Sequence, residues 1–240
     1  MKIGIVSTFS DQGYIDYAEH FVDSLKNHLD KSVEVFLYVD NLSINPSSNI
    51  HILNLEKLVP SLVDFKTRNK DKIVDDFLRD AVRFSHKSYA IWHAAMTSNV
   101  DILIWLDADT EIIKTVSSDY LKSFLPDSYF TSYLGRDSYS ETGFIAFDLR
   151  NPYTQEFFDT FKNYYDSDKI YTLKAYTDCH VFDATRKELE NLKKITGYNL
   201  TPDNIKNPFN ETFKGYMIHF KGGRKDQREK IMSKSLKGTH

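Results

Sequence analysis

The strongest constraint on the fold is a series of apolar segments that alternate with a helical one near the start of the chain. Residues 2–9 read KIGIVSTF, which is typical of a buried strand, and residues 14–29 carry apolar side chains at helical spacing. Residues 32–40 and 49–55 give two further strands. Strand, helix and strand at this spacing form a βαβ unit, whose strands pair in parallel. The sequence therefore predicts an α/β fold with a mixed, mainly parallel central sheet flanked by helices.

Length, charge and cysteine content exclude several classes of protein. The 240 residues suit one large α/β domain, and the net charge of −3 gives no argument for a nucleic-acid partner. The single Cys179 rules out an internal disulfide framework and is typical of a reducing compartment. The first residues turn polar too quickly for a signal peptide, and no apolar run approaches transmembrane length. We therefore expect a cytoplasmic protein.

A pair of aspartates follows the most apolar strand. Residues 101–112 read DILIWLDADTEI, so a strand runs directly into Asp107 and Asp109. If the strand geometry persists, both carboxylates point the same way beyond the end of the sheet. Two carboxylates at one place repel each other unless a cation or a proton lies between them, and Mg²⁺ and Mn²⁺ prefer such oxygen ligands. A divalent metal site is one interpretation, and a simple strand-ending turn is the other.

Polar residues also end other predicted strands. Thr8, Asp40 and His219 each lie at such an end, as Asp107 and Asp109 do. In open α/β sheets, ligands bind beyond the carboxyl ends of the strands, so these side chains are expected to converge. Two carboxylates and one imidazole suit Mn²⁺, which makes Asp107, Asp109 and His219 the predicted metal ligands. A structural hydrogen bond is the alternative role for His219.

Glycine and cations follow His219 directly. Gly222 lets the backbone approach a ligand closely, while Lys221 and Lys225 supply positive charge. Next to a metal, these residues predict a diphosphate site that includes Gly222 and Lys225. A solvated basic tail is the alternative interpretation, and a peripheral contact with an anionic membrane surface is another.

Two motifs carry a resemblance to a known family. WLDADT, residues 105–110, resembles the DXD motif of GT-A glycosyltransferases. HFKGGRK, residues 219–225, is similar to the His-x-x-Gly-x-x-Lys ending of the glycogenin and lipopolysaccharide-galactosyltransferase group, family 8. Asp226 and Gln227 replace the Pro-Trp that follows in that family. The resemblance implies a Rossmann-like GT-A fold and a nucleotide-sugar donor, with a UDP-sugar expected from the family.

The resemblance also implies roles for residues between the two motifs. ETGFIAFDL, which starts at Glu141, resembles the family's Asn-Ser-Gly strand, and TDCHVFD matches its Asp-Gln-Asp only at Asp178. Glu141 and Asp178 are therefore the candidate catalytic carboxylates, and a helix N-cap is the alternative role of Asp178. Lys87 resembles the family's basic donor-binding residue, in a stretch predicted to be helical over 70–99 in two pieces, with Arg83 as the competing choice.

The resemblance spans most of the chain and sets its expected organisation. We expect one domain over residues 1–240, with a nucleotide-binding half at 1–110, a sugar and acceptor half at 111–220, and a basic tail at 221–240. No motif identifies the acceptor, which is a saccharide, a lipid-linked group or a protein.

The favoured hypothesis is a metal-dependent glycosyltransferase with Mn²⁺ or Mg²⁺ as its cofactor. Thr8 and Asp40 are candidate nucleotide contacts, and Tyr133, Tyr139 and His180 are candidate acceptor contacts. Two alternatives stay open. A haloacid-dehalogenase-like sugar phosphatase would use the first aspartate of the motif as a nucleophile, and a non-catalytic protein would only bind the nucleotide sugar.

Overall fold

A computed structural model describes residues 1–72, 76–201, 205–221 and 228–237 of the chain. Its central sheet is built from β1 (Ile3–Thr8), β2 (Glu34–Tyr38), β3 (Ile50–Leu53), β4 (Ile102–Leu106), β6 (Thr131–Leu134), β7 (Glu141–Asp148) and β8 (Tyr198–Asn199). A separate two-stranded ribbon pairs β5 (Thr110–Ile112) with β9 (Met217–His219).

The helices lie between these strands. They are α1 (Asp11–Gly13), α2 (Glu19–His28), α3 (Leu55–Leu58), α4 (Pro60–Arg68), α5 (Ala81–Thr97), α6 (Ser118–Lys122), α7 (Thr154–Asp166), α8 (Asp178–Lys193), α9 (Pro208–Thr212) and α10 (Arg228–Lys237). A π-helical turn at Tyr14–Ala18 joins α1 to α2, and short 3₁₀ turns lie at Lys70–Lys72, Phe77–Arg79 and Lys169–Thr172. In the described ranges, no helix combines the length and the apolar composition needed to cross a bilayer.

The central sheet is mixed and mainly parallel. Its seven strands have the spatial order β3-β2-β1-β4-β7-β6-β8. The first four in this order run parallel to one another, whereas β7 is antiparallel to both β4 and β6. The predicted fold class, a mixed α/β sheet flanked by helices, is confirmed.

Apolar side chains cover both faces of the sheet. Alternate residues of β4 enter different cores, Ile104 and Leu106 on one face and Leu103 and Trp105 on the other. This alternation explains why the strand reads as an unbroken apolar run, since both of its faces are buried. The same burial leaves the first polar residue after β4, Asp107, at the edge of the sheet.

The stretch predicted to be helical over 70–99, in two pieces, has one α-helix, α5, and two 3₁₀ turns, Lys70–Lys72 and Phe77–Arg79, among its described residues. Helix α5 begins where Asp80 caps it, by accepting a hydrogen bond from the backbone N–H of Arg83 at 2.9 Å. Asp76 likewise accepts from the N–H of Leu78 at 2.9 Å and starts a separate 3₁₀ turn. Aspartate side chains that bond to nearby backbone N–H groups favour such local breaks over a continuous helix.

The ribbon of β5 and β9 brings a late part of the chain to the end of β4. Thr110 pairs with His219, and the N–H of Phe220 donates to the carbonyl of Asp109 at 2.9 Å. His219 therefore ends a strand as predicted, but the strand belongs to the ribbon and not to the central sheet. Arg228 of α10 forms an ion pair with Glu111 of β5, with 2.6 Å between Nη2 and Oε2.

Candidate functional site

A cavity of about 720 Å³ lies beyond the carboxyl ends of the parallel strands. This volume is in the usual range for small-molecule sites. The predicted site residues that line it are Thr8, Asp40, Lys87, Asp107, Asp109, Glu141, Asp178 and His219. The predicted convergence of strand-end side chains is therefore observed. Gly222 and Lys225 lie outside the described residues.

Asp107 is held firmly at the floor of the cavity. Its Oδ1 accepts hydrogen bonds from Nε1 of Trp105 at 2.7 Å and lies 2.9 Å from Nζ of Lys87. Its backbone N–H donates to the carbonyl of Gly143 at 3.0 Å, which ties the end of β4 to β7. The other carboxylate oxygen, Oδ2, is directed toward His219, with 3.6 Å to Nε2.

His219 lies among three carboxylates, two from the turn between β4 and β5 and one from β7. Its Nε2 is 2.9 Å from Oδ1 of Asp109, and its Nδ1 is 3.9 Å from Oε1 of Glu141. The side chain is only 2% exposed, and Nδ1 has no hydrogen-bond partner among the described residues. Burial lowers the pKa of His219, but the carboxylates of Asp109, Asp107 and Glu141 together outweigh burial, so the pKa is raised.

Gly143 makes room for this imidazole. A Cβ atom at position 143 would lie 2.8 Å from both Cε1 and Nδ1 of His219. Any side chain there would push the ring away from β7. The glycine of the stretch ETGF is therefore required by the close approach of His219.

Asp107, Glu141 and His219 form a group with the donor atoms of a metal site. One ligand atom from each lies within 4.8 Å of the others. Carboxylate oxygens with one imidazole nitrogen suit Mn²⁺ or Mg²⁺, and the unpartnered Nδ1 of His219 supplies a free donor. Glu141, predicted only as a catalytic carboxylate, thus joins the candidate metal ligands, while Asp109 contacts His219 beside them.

Glu141 is a buried carboxylate surrounded by cations. Its Oε2 lies 3.1 Å from Nη1 of Arg136 and 3.2 Å from Nζ of Lys221. Burial alone would raise the pKa of Glu141, but the charges of His219, Lys221 and Arg136 together lower it. The carboxylate is therefore ionised near neutral pH, as a metal ligand must be.

Lys87 and Asp178 form a buried ion pair at the back of the cavity. Nζ of Lys87 contacts the carboxylate of Asp178 and donates to the carbonyl of Thr142 at 3.0 Å. Burial would raise the pKa of Asp178, but Lys87 and the hydroxyl of Thr142 lower it. The Lys87 pKa is raised, because Asp107 and Asp178 outweigh the effect of burial.

Asp178 does not cap α8. Thr177 is the N-cap residue, and Asp178 is the first residue of the helix. The carboxylate of Asp178 accepts from Oγ1 of Thr142 at 2.7 Å, across to β7. Its side chain is therefore directed into the cavity, and the alternative role as a capping residue is wrong.

The predicted nucleotide contacts lie on the opposite side of the cavity. Thr8 donates from Oγ1 to the carbonyl of Tyr38 at 2.9 Å, and the carbonyl of Asp40 accepts from the side chain of Asn54. The carboxylate of Asp40 lines the cavity. Arg83 lines it too, and its guanidinium makes no ion pair with any described residue; it lies 5.3 Å from the ring centroid of Phe77.

One predicted acceptor contact is wrong, and several site residues were missed. Tyr139 and His180 line the cavity with their rings 5.0 Å apart, but Tyr133 does not. The ring of Tyr133 is buried under the guanidinium of Arg186, at 4.2 Å, on the face of the sheet that packs against α8. The missed residues that contact the predicted ones are Trp105, Arg136 and Thr142. The indole and hydroxyl donors among them carry no sequence signal, because apolar strands contain such residues routinely.

Comparisons with known proteins place the fold among glycosyltransferases. No protein-family model and no curated protein sequence matches the chain. Among solved structures, it is similar to the apo structure of the bifunctional glycosyltransferase WbbM, with a TM-score of 0.53 and 12% identity over 92% of this chain and 46% of that chain. It is also similar to the apo form of the glycosyltransferase GlyE from Streptococcus pneumoniae TIGR4, with a TM-score of 0.51 and 11% identity over 83% of this chain and 45% of that chain.

These similarities establish the fold. The chain spans about half the length of each of these two proteins. At such low identity, a shared fold does not carry over substrates or catalytic residues, which have to be argued from the site itself.

Proposed function

We propose that this chain is a metal-dependent glycosyltransferase that moves a sugar from a nucleotide-sugar donor to an acceptor. The observation that carries the proposal is the group of Asp107, Glu141 and His219, whose donor atoms lie within 4.8 Å of one another. The group lines a cavity beyond the parallel strand ends of a fold that solved glycosyltransferases share. The resemblance to the DXD motif and to family 8 supports the same assignment, with UDP as the nucleotide.

The position of each residue in the cavity suggests which part of the metal and donor it would contact. Asp107, Glu141 and His219 would hold Mn²⁺ or Mg²⁺, and Asp109 would orient the imidazole through its 2.9 Å contact with Nε2. The bound ion would supply positive charge to the diphosphate of the donor as the bond to the sugar breaks. Thr8 and Asp40 would contact the nucleoside, and Gly222 and Lys225 remain proposed contacts of the diphosphate.

Asp178 is the carboxylate that we assign to the transferred sugar. Glu141 belongs to the candidate metal ligands and also contacts Lys221. Asp178 lies at the back of the cavity beside Lys87. Its lowered pKa keeps it ionised at neutral pH. A fixed negative charge at this place would stabilise the positive charge that develops on the sugar ring.

A phosphatase that uses Asp107 as its nucleophile has less support. Oδ1 of Asp107 is occupied by the indole N–H of Trp105 and by Lys87, and Oδ2 is directed toward His219. Hydrogen bonds and cations of this kind lower the nucleophilicity of a carboxylate. The sheet also places Asp107 after β4, next to the antiparallel β7, in the fold of the two glycosyltransferases.

Calorimetric titration with UDP tests the proposal without knowledge of the acceptor. We expect UDP to bind at least about tenfold more tightly with Mn²⁺ than with EDTA, because the carboxylates repel a diphosphate when no cation lies between them. A screen of nucleotide sugars with Mn²⁺ should then reveal slow hydrolysis of one donor. Equal UDP affinity with and without metal would exclude the metal-dependent mechanism. Tight UDP binding without hydrolysis or transfer would instead indicate a binding protein.

A further inference from the structure

Helix α8 holds the start of β7 and the residue before it through two matched contacts. Ser140 and Thr142 both reach the helix: Oγ of Ser140 donates to Asp183 at 2.6 Å, and Oγ1 of Thr142 donates to Asp178 at 2.7 Å. The backbone N–H of Ser140 adds a third bond to Asp183, at 3.0 Å. Two hydroxyls and two aspartates therefore hold one short segment against the N-terminal half of α8.

The alternation of side chains along a strand determines the direction of Glu141. Residues 140 and 142 are directed toward α8, so the residue between them, Glu141, is directed to the other side. On that side its carboxylate lies 3.9 Å from Nδ1 of His219. The contacts of the two hydroxyls thus fix the direction of a side chain that neither of them touches.

Asp183 is itself held in place by its own helix. Nη2 of Arg186 donates to Oδ1 of Asp183 at 3.2 Å, and Nη1 of Arg186 donates to Glu190 at 2.8 Å. Asp183 is 8% exposed and Ser140 is 3% exposed, so water does not compete for these bonds. A buried network of hydrogen bonds of this kind favours one arrangement of its members.

We infer that Ser140 and Asp183 are positioning residues, which hold Glu141 at the metal group from behind β7. The inference rests on the proposed function, because it needs Glu141 to bind the ion. Neither residue touches the ion or the donor. Loss of the Ser140 hydroxyl would leave Glu141 free to turn toward Arg136 and Lys221, which already contact its Oε2.

Manganese affinity of the full chain measures this positioning directly. We expect Ser140→Ala to weaken Mn²⁺ binding, measured by electron paramagnetic resonance with saturating UDP, by roughly tenfold, the usual effect of losing a residue that supports a metal ligand. Asp183→Asn should act in the same direction. Ser140→Thr keeps the hydroxyl and should restore the wild-type affinity.

A matched control separates positioning from general loss of packing. Thr131→Val removes an equally buried hydroxyl of the same sheet, which donates to the carbonyl of Ala146 at 2.9 Å, far from the cavity. Its Mn²⁺ affinity should equal that of the wild type. Unchanged Mn²⁺ affinity in Ser140→Ala, or an equal loss in Thr131→Val, would overturn the inference. Absence of Mn²⁺ binding in the wild type would instead overturn the proposed function.

Discussion

The two ends of the β4–β7 strand pair carry similar residues in very different arrangements. At the end away from the cavity, Asp148 accepts from Nε and Nη2 of Arg150, each at 2.8 Å. Asp101 accepts there from the backbone N–H of Lys2 at 2.7 Å. Each carboxylate there has its own donor. At the cavity end, Asp107 and Glu141 share cations and the imidazole of His219 with other carboxylates.

The contrast lies in where the partners come from. Asp148 is neutralised by a residue two positions along the chain, so this end is complete as soon as β7 and its turn form. The carboxylates of the cavity end depend on α5, α8 and the ribbon for their partners. Local pairing is sufficient to stabilise a strand end. Convergence of several charges from distant elements is costly in free energy, and it is typical of binding and catalytic sites.

The largest expected effect is a loss of stability when the cation at one end of the β4–β7 pair is removed. Lys87→Met leaves the buried carboxylate of Asp178 and the partly buried carboxylate of Asp107 without their cation, so we expect a loss of about 3–5 kcal/mol in the free energy of unfolding. Arg150→Met should cost less, about 1 kcal/mol, because the backbone N–H at position 150 still donates to the buried carboxylate of Asp148 after the exposed guanidinium is lost. The side chains of Lys87 and Arg150 are 10% and 45% exposed, respectively.

Urea unfolding of both variants measures this difference. Adding Asp178→Asn to Lys87→Met should recover part of the lost stability, because one of the two unpaired charges is then removed. Equal destabilisation by Lys87→Met and Arg150→Met would show that the two ends do not differ in this respect.

The next effect is on activity, with a matched pair of aspartate variants. Asp109→Asn keeps an oxygen that can accept from His219 but removes a charge beside the metal group, so donor hydrolysis should fall by roughly 10- to 100-fold. Its melting temperature should change little, because repulsion between carboxylates is relieved while an attraction to the imidazole of His219 is weakened. Asp148→Asn should instead lower stability by about 1 kcal/mol and leave hydrolysis unchanged. Similar hydrolysis rates in the two variants would contradict a functional role for Asp109.

The smallest effect concerns acid stability. The pKa of Asp178 is lowered from its ordinary value of 3.8, despite burial, by Lys87 and Thr142. A carboxyl with a lower pKa in the folded chain stabilises the fold above its unfolded pKa, and this contribution is lost as the pH falls through the folded pKa. From about pH 5 to about pH 3, the free energy of unfolding should therefore fall more steeply in the wild type than in Asp178→Asn. Urea titrations at each pH measure both slopes, and parallel slopes would count against the Lys87–Asp178 pair.

The sequence was sufficient for the residues whose positions depend on a single element. Asp107 and Asp109 follow a strand whose apolar run is unmistakable, and Lys87 lies on a helix with clear periodicity. The place of the two aspartates at the cavity could be predicted because strand ends of a parallel sheet share one edge, whereas Lys87 was proposed from the family resemblance, with Arg83 as the alternative. The resemblance supplied Asp178 and Glu141 by their order along the chain.

Residues whose positions depend on register could not be placed. Tyr133 was expected at the acceptor, but the pairing of β6 with β7 shifts between Tyr133 and Leu134, and Tyr133 faces α8. The proximity of Glu141 to His219 depends on the pairings of β4 with β7 and of β5 with β9. Such pairings join residues far apart in sequence, and hydrophobic patterns do not specify them between strands that are buried on both faces.

The ribbon of β5 and β9 also has a consequence for the order in which the molecule is completed. Asp109 and His219, which meet across it, are 110 positions apart in the chain. During synthesis, β1 to β4 can pair and bury their apolar faces long before β9 leaves the ribosome, whereas contacts between such distant residues form late. A nascent chain would thus hold Asp107 and Asp109 in place but lack the imidazole. A metal ion at this site would then be bound only by a chain that has been synthesised through β9 and in which β9 has paired with β5.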